Sequence, residues 1–212
     1  MRCMDLTHLI SREMPVYPGT EPPRLQPANT YERDGFQETL LTMYSHTGTH
    51  MDPPAHLFAG RTTLEQFIGR ALVIHCPELR EGERVPFSAV ERVRPLADQA
   101  EFLLFHTGWG RYWGTERYFG DYPCIDQGIV DYLLQSGKKG VGLDTIGVDP
   151  IADAYLSIHR RLFQDHDLVV MENLANLDQI GDGLFTLFAL PLRYQDADGS
   201  PIRAVAVLDG EE

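Results

Sequence analysis

Short apolar runs recur along the chain at residues 40–44, 71–75, 102–105, 140–143, 168–171, 185–190 and 202–208, each bounded by glycine, proline or polar clusters. Runs of this length, rich in Val, Ile, Leu and Phe, read as strands. Helical periodicity is rarer. Thr63 is expected to cap a short helix carrying Leu64, Phe67 and Ile68. Asp126 opens a better one, with Ile129, Val130, Leu133 and Leu134 on one face and Gly137 as its stop. Asp149-Pro150 supplies a cap and first-turn proline for a third helix running to about Phe163. The proline-rich stretch 13–29 is expected to be an ordered loop, and the turn residues 195–201 join the last two strands as a hairpin. No repeat or linker interrupts the pattern. It predicts an α/β fold: a strand-rich single domain over residues 1–212.

Composition narrows the function. A chain of 212 residues, 43% hydrophobic and 23% charged, can bury one substantial core. Its formal charge of −13 argues against a nucleic-acid partner, since phosphate binding needs clustered Lys and Arg. Charges or prolines interrupt every apolar run, so no membrane span is expected. Asp5 falls where a signal peptide would build its apolar region, so a cytoplasmic location is expected. Cys3, Cys76 and Cys124 form no CxxC pair and fit free thiols in a reducing compartment. There is no GxGxxG, Walker-type or GxSxG motif.

The stretch Ser45-His-Thr-Gly-Thr-His-Met-Asp-Pro-Pro-Ala-His56 concentrates metal-ligating chemistry. The two threonines and Gly48 disfavour helix, and Pro53-Pro54 ends any regular element. In an extended strand His46, Gly48, His50 and Asp52 share one face, with Gly48 leaving room for an ion. His56 follows the proline turn and can swing back. Imidazoles and a carboxylate converging in this way suit zinc, manganese or iron. The structural alternative is a histidine-rich strand that packs or caps. A second region holds His159, His166 and Glu172. Either histidine could complete the site, and Glu172 could equally be a solvated carboxylate. Asp144 reads as a cap for the turn 145–147, while His8, His75 and His106 look like isolated packed residues.

The sequence His46-Thr-Gly-Thr-His50-Met-Asp52-Pro-Pro-Ala-His56 resembles the HxGTHxDxPxH signature of the cyclase family of metal-dependent hydrolases, with Pro54 as the matching proline. Further resemblance runs through Asp5-Leu-Thr-His8, Met14-Pro-Val-Tyr-Pro-Gly19, Gly142-Leu-Asp-Thr145, Met171-Glu-Asn-Leu174, Leu190-Pro-Leu192 and Asp198-Gly-Ser-Pro-Ile-Arg-Ala204. The resemblance implies a swivelling β/β/α fold and a homodimer or homotetramer. It makes His46 and His50 ligands of one metal, His159 a ligand of a second, and Asp52 and Glu172 carboxylates bridging them. It makes His56 the proton shuttle, and Tyr17 a substrate-facing residue standing where the formamide-cleaving members carry tryptophan.

The expected cofactor is Zn2+, one or two ions per chain, with Mn2+ as the alternative. The expected reaction is hydrolysis of the C–N bond of a small-molecule formamide, amide or lactam. Two other readings use the same residues. A non-haem iron oxygenase would use His50, Asp52 and His159 but leave His46, His56 and Glu172 idle. A non-catalytic metal-binding protein would have no need of His56.

Overall fold

Successive side chains on a strand point to opposite faces, so a strand apolar at every position is buried on both. The computed structural model, which describes residues 1–60 and 62–208, bears this out. In chain order the strands are β1 (Arg2–Asp5), β2 (Arg24–Asn29), β3 (Glu38–Thr42), β4 (His50–Asp52), β5 (Ile68–His75), β6 (Arg84–Val85), β7 (Phe102–His106), β8 (Cys124–Ile125), β9 (Gly140–Leu143), β10 (Val169–Glu172), β11 (Phe185–Pro191) and β12 (Ser200–Leu208). The helices are α1 (Tyr31–Asp34), α2 (Phe87–Arg92), α3 (Arg94–Gln99), α4 (Gln127–Gln135) and α5 (Ser157–Phe163).

Strands β5, β7, β9 and β10 run parallel. Antiparallel β11 pairs with β5, and β12 with β11. Strand β4 closes the sheet by pairing antiparallel with both β10 and β12, so seven strands form a barrel-like ring, with β1 added on β12. Leu72, Ile74, Leu103, Phe105, Val141 and Leu143 face outward, into a core covered by α2 to α5. Ala71, Val73, Phe102, Leu104, Met171, Ala204 and Ala206 fill the inside. Small residues are needed there: a side chain on Gly142 would start 2.8 Å from the Leu104 side chain. The mixed, strand-rich α/β fold is the one the apolar pattern predicts.

Several boundaries differ from expectation. The strand expected at 40–44 lies at Glu38–Thr42, and the proline-rich stretch ends in β2, which pairs with β3 around an irregularity at Pro27. An edge pair tolerates a residue with no N–H to give. The helix at Thr63 is one 3₁₀ turn, Leu64–Phe67, closed by reciprocal Thr63–Gln66 capping before β5 begins. The third helix starts at Ser157, not at Asp149. Asp149 does cap it, but from a preceding loop: its carboxylate accepts the N–H groups of Ile158 (2.6 Å) and His159 (3.0 Å). Helix α4 forms as the pattern predicts, with the Asp126 carboxylate accepting Ile129 N–H at 2.8 Å. Helices α2 and α3 span six residues each, too short for a helical period to stand out. No helix among the described residues is long and apolar enough to cross a membrane.

Candidate metal centre

The histidine-rich segment is not the extended strand that its spacing suggests. Only His50–Asp52 is strand, and Gly48 adopts φ +67° in a turn. That left-handed conformation favours glycine. The space beside it is taken by the Met14 side chain, 3.2 Å from where a Cβ would sit, so no ion stands there. Convergence comes from the turn instead. The turn is held by Asn173, whose amide donates to Gly48 O (2.8 Å), and by the Thr49 hydroxyl, which donates to Asn173 O (2.6 Å). The β4–β10 register then sets Glu172 opposite His50 and Val170 opposite Asp52. Asn173, in a left-handed conformation directly after Glu172, belongs to the resembling segment Met171-Glu-Asn-Leu174, but nothing local in the sequence marks its bond to Gly48.

Asp52 and Glu172 lie side by side, both buried, between three imidazoles. Asp52 Oδ1 is 2.6 Å from His46 Nδ1 and 3.4 Å from His50 Nε2, and its Oδ2 is 3.3 Å from His159 Nε2. Glu172 Oε2 is 3.3 Å from His50 Nε2 and Oε1 is 3.3 Å from His159 Nε2. The outer nitrogen of every ring is anchored on an oxygen: His50 Nδ1 on Gly48 O (2.8 Å), His159 Nδ1 on Asp149 (2.7 Å) and His46 Nε2 on Asp198 (3.2 Å). Anchoring of this kind fixes the tautomer and aims the other nitrogen's lone pair inward. Asp149, read from the sequence only as a helix cap, is therefore also the residue that orients His159.

The electrostatics are those of a site short of cations. Burial disfavours charge on His46, but Asp52 and then Asp198 raise it to about 9. Burial likewise opposes charge on His50 and His159, and the carboxylates facing them raise both. Burial pushes the Asp52 carboxyl up, yet the neighbouring histidines hold it well below the ordinary range. Glu172 is lowered by His159 and His50 against its burial and the charge of Asp52.

The residues fit a divalent metal. His159 Nε2 is buried with no hydrogen-bond partner although it faces two carboxylates. Lone pairs facing lone pairs in a buried cluster call for a cation between them. His46, Asp52 and His56 can converge on one point, as can His50, Asp52 and Glu172. The cluster floors a cavity of about 570 Å³, walled by Tyr17, Tyr44, Tyr122, Ile146 and Leu156. The His56 ring stands 4.4 Å from that of His46.

Other residues go elsewhere. His166 borders a separate hollow beside Lys138 and Lys139. Asp144 does not cap the turn 145–147, which Thr145 closes by donating to Gly147 O (2.9 Å). It ties β9 to the loop after β7 by accepting from Thr107 N (2.9 Å) and Gly108 N (2.9 Å). His75 and His106 are not isolated: their Nδ1 atoms lie 3.0 Å apart. His8 stacks on Trp113 at 3.9 Å between ring centroids.

A barrel-like sheet that holds two carboxylates among inward-facing histidines defines an α/β protein with a candidate metal centre. Residues 4–150 match the model of the Cyclase family, described as "Putative cyclase", and the chain belongs to that family. It is 32% identical to the kynurenine formamidases of Bacillus thuringiensis (strain Al Hakam) and Bacillus anthracis, with 95% of each chain covered. Among solved structures, an isatin hydrolase bound to the product analogue thioisatinate superposes with TM-score 0.86 at 21% identity, covering 98% of this chain and 92% of that one. Isatin hydrolase A from Ralstonia solanacearum gives 0.84 at 23% identity, with 97% and 91% covered. These two share its fold.

Proposed function

We propose that residues 1–212 form one domain of a metal-dependent hydrolase that cleaves the C–N bond of a small-molecule formamide, amide or lactam. The observation that carries this reading is the pair of carboxylates, Asp52 and Glu172, each lying 3.3–3.4 Å from both His50 Nε2 and His159 Nε2 at the floor of an open cavity. The formamidase relatives support the choice of bond. Following the family resemblance, His46, His50 and Asp52 would hold one ion, and Asp52, Glu172 and His159 would hold a second, as zinc or manganese. His56, which can also converge with His46 and Asp52, would be left free for proton transfer. A divalent ion held there supplies Lewis-acid activation of water and of the scissile carbonyl.

The chain's own groups do the rest. Burial keeps His56 below the ordinary histidine range, with Asp52 opposing in part, so its ring is neutral near pH 7. A neutral imidazole on the cavity wall can take the attacking water's proton and hand it to the leaving nitrogen, a contribution of typically ~10²–10⁴-fold. Tyr17, 43% exposed at the rim, offers an aromatic face and a hydroxyl to the substrate.

The oxygenase reading expects one carboxylate with two histidines, whereas here Glu172 is as near both rings as Asp52 is. A purely structural metal protein needs neither the cavity nor His56. Cys3, Cys76 and Cys124 are free, in keeping with a cytoplasmic location. Exposed Leu40, Leu41 and Phe36 on the β2–β3 hairpin, with Leu190, Leu192 and Tyr194, support a homo-oligomer, because a lone two-stranded hairpin is marginal in water. Metal content of protein purified without chelator, with turnover of formamides, lactams and esters before and after chelation, tests the function. Metal-free protein that neither binds zinc or manganese nor gains activity from them overturns it.

A further inference from the structure

Away from the histidines of the metal centre, the charged side chains that line the cavity are all acidic. Among the described residues no lysine or arginine lines it. Three carboxylates besides Asp52 and Glu172 do: Asp149, which is buried against His159, and Asp153 and Asp198, which stand nearer the rim. Asp198 is held at the rim by the hydroxyls of Tyr194 (3.1 Å) and Ser45 (3.2 Å) and by His46 Nε2 (3.2 Å), with its side chain 51% exposed. Asp153 is fixed by the N–H groups of Tyr155 (3.0 Å) and Ser157 (3.1 Å). Much of the remaining wall is aromatic or aliphatic, with Val16, Tyr17, Tyr44, Ile146, Pro150 and Leu156, and its other polar residues, such as Thr20 and Thr47, are uncharged. A cavity of about 570 Å³ takes a ligand of one or two rings.

We propose that the substrate is an aryl or alkyl amide or lactam without a carboxylate, either uncharged or bearing an ammonium group, and that Asp153 and Asp198 select against anions. This deepens the hydrolase reading and rests on it. An anionic substituent would lie in the apolar wall with no basic partner and pass two fixed like charges. A buried charge without a partner is disfavoured, and like charges at such a site discriminate as strongly as attractive contacts do. An ammonium group meets the opposite field. Both carboxylates are partly solvated, so the discrimination is screened by salt.

The test uses metal-loaded enzyme and three formamides differing in one group: formanilide, its 4-aminomethyl derivative and its 4-carboxy derivative. The expected result is a kcat/KM for the carboxy compound about tenfold or more below that of formanilide, with the aminomethyl compound at or above it. Raising ionic strength should narrow the gap. Asp153→Asn and Asp198→Asn should each raise the ratio of carboxy to neutral turnover several-fold, whatever they do to the absolute rate. Binding of the same compounds, read as thermal shifts of the metal-loaded protein, ranks them without turnover. Neutral-over-anion binding with no cleavage of any compound overturns the hydrolase reading alone. Binding and turnover of the carboxy compound equal to or above formanilide overturns the inference about the rim.

Discussion

Two groups of histidines in this protein differ in what surrounds them. His46, His50 and His159 each have one ring nitrogen anchored on an oxygen and the other aimed at Asp52 or Glu172. His75 and His106 stand where parallel β5 and β7 end, with Nδ1 atoms 3.0 Å apart, and face each other instead. His75 Nε2 lies 3.1 Å from Ile180 O, to which only an N–H can donate. The two facing Nδ1 atoms are hydrogen-bonded to each other, so each ring is the other's partner. Burial lowers His106; Asp144 opposes this, and His75 lowers it further. Histidine density is thus not what makes a metal centre. Carboxylates placed opposite unfilled lone pairs do, because they create a charge deficit that a divalent cation removes.

The sharpest test of that difference is a matched pair of variants. His50→Ala should abolish stoichiometric metal and lower kcat/KM by more than the ~10²-fold typical of losing an outer partner. His75→Ala should keep its metal. Metal analysis after dialysis reads both, and equal loss in the two variants would erase the distinction. His56→Ala separates proton transfer from ligation inside the first cluster: it should retain metal while kcat falls ~10²–10⁴-fold. Metal loss matching that of His50→Ala would make His56 a ligand.

Metal-free protein sharpens the comparison through pH. His46 is raised from about 6.5 to about 9 by its carboxylate partners. Its contribution is therefore complete below pH 6.5 and is lost as pH rises through 9, by up to ~3 kcal/mol. Urea unfolding of the metal-free protein between pH 6 and 10 should show this decline, and added zinc should flatten it by replacing the proton. A metal-free protein equally stable across that range would contradict the charge deficit. Asp149→Asn removes the carboxylate that orients His159 and should weaken metal binding ~10–100-fold while leaving α5 formed by circular dichroism. The smallest effect belongs to Tyr17→Trp, a few-fold gain in kcat/KM for aryl formamides from the larger stacking face. Efficient N-formylkynurenine turnover by the unaltered enzyme, at or above isatin and small cyclic imides, would show that Tyr17 does not redirect specificity.

The one-dimensional pattern was enough for the strand-rich class, because strands buried on both faces leave unbroken apolar runs such as Ala71-Leu-Val-Ile74 and Phe102-Leu-Leu-Phe105. It was enough for the family and for half of the candidate centre, because His46, His50, Asp52 and His56 lie within eleven residues and no routine packing need explains them. Tertiary structure decided the rest. Whether His159 or His166 faces the cluster depends on where α5 docks, and Glu172 meets His50 only through the β4–β10 register, across more than a hundred residues. The same holds for Asp149, Asn173 and Asp198. Each is a short polar residue whose local signal is a cap or a turn, and such a signal is satisfied by neighbours in sequence. Their other partners, His159, Gly48 and His46, are supplied by chain closure, and no local pattern encodes that.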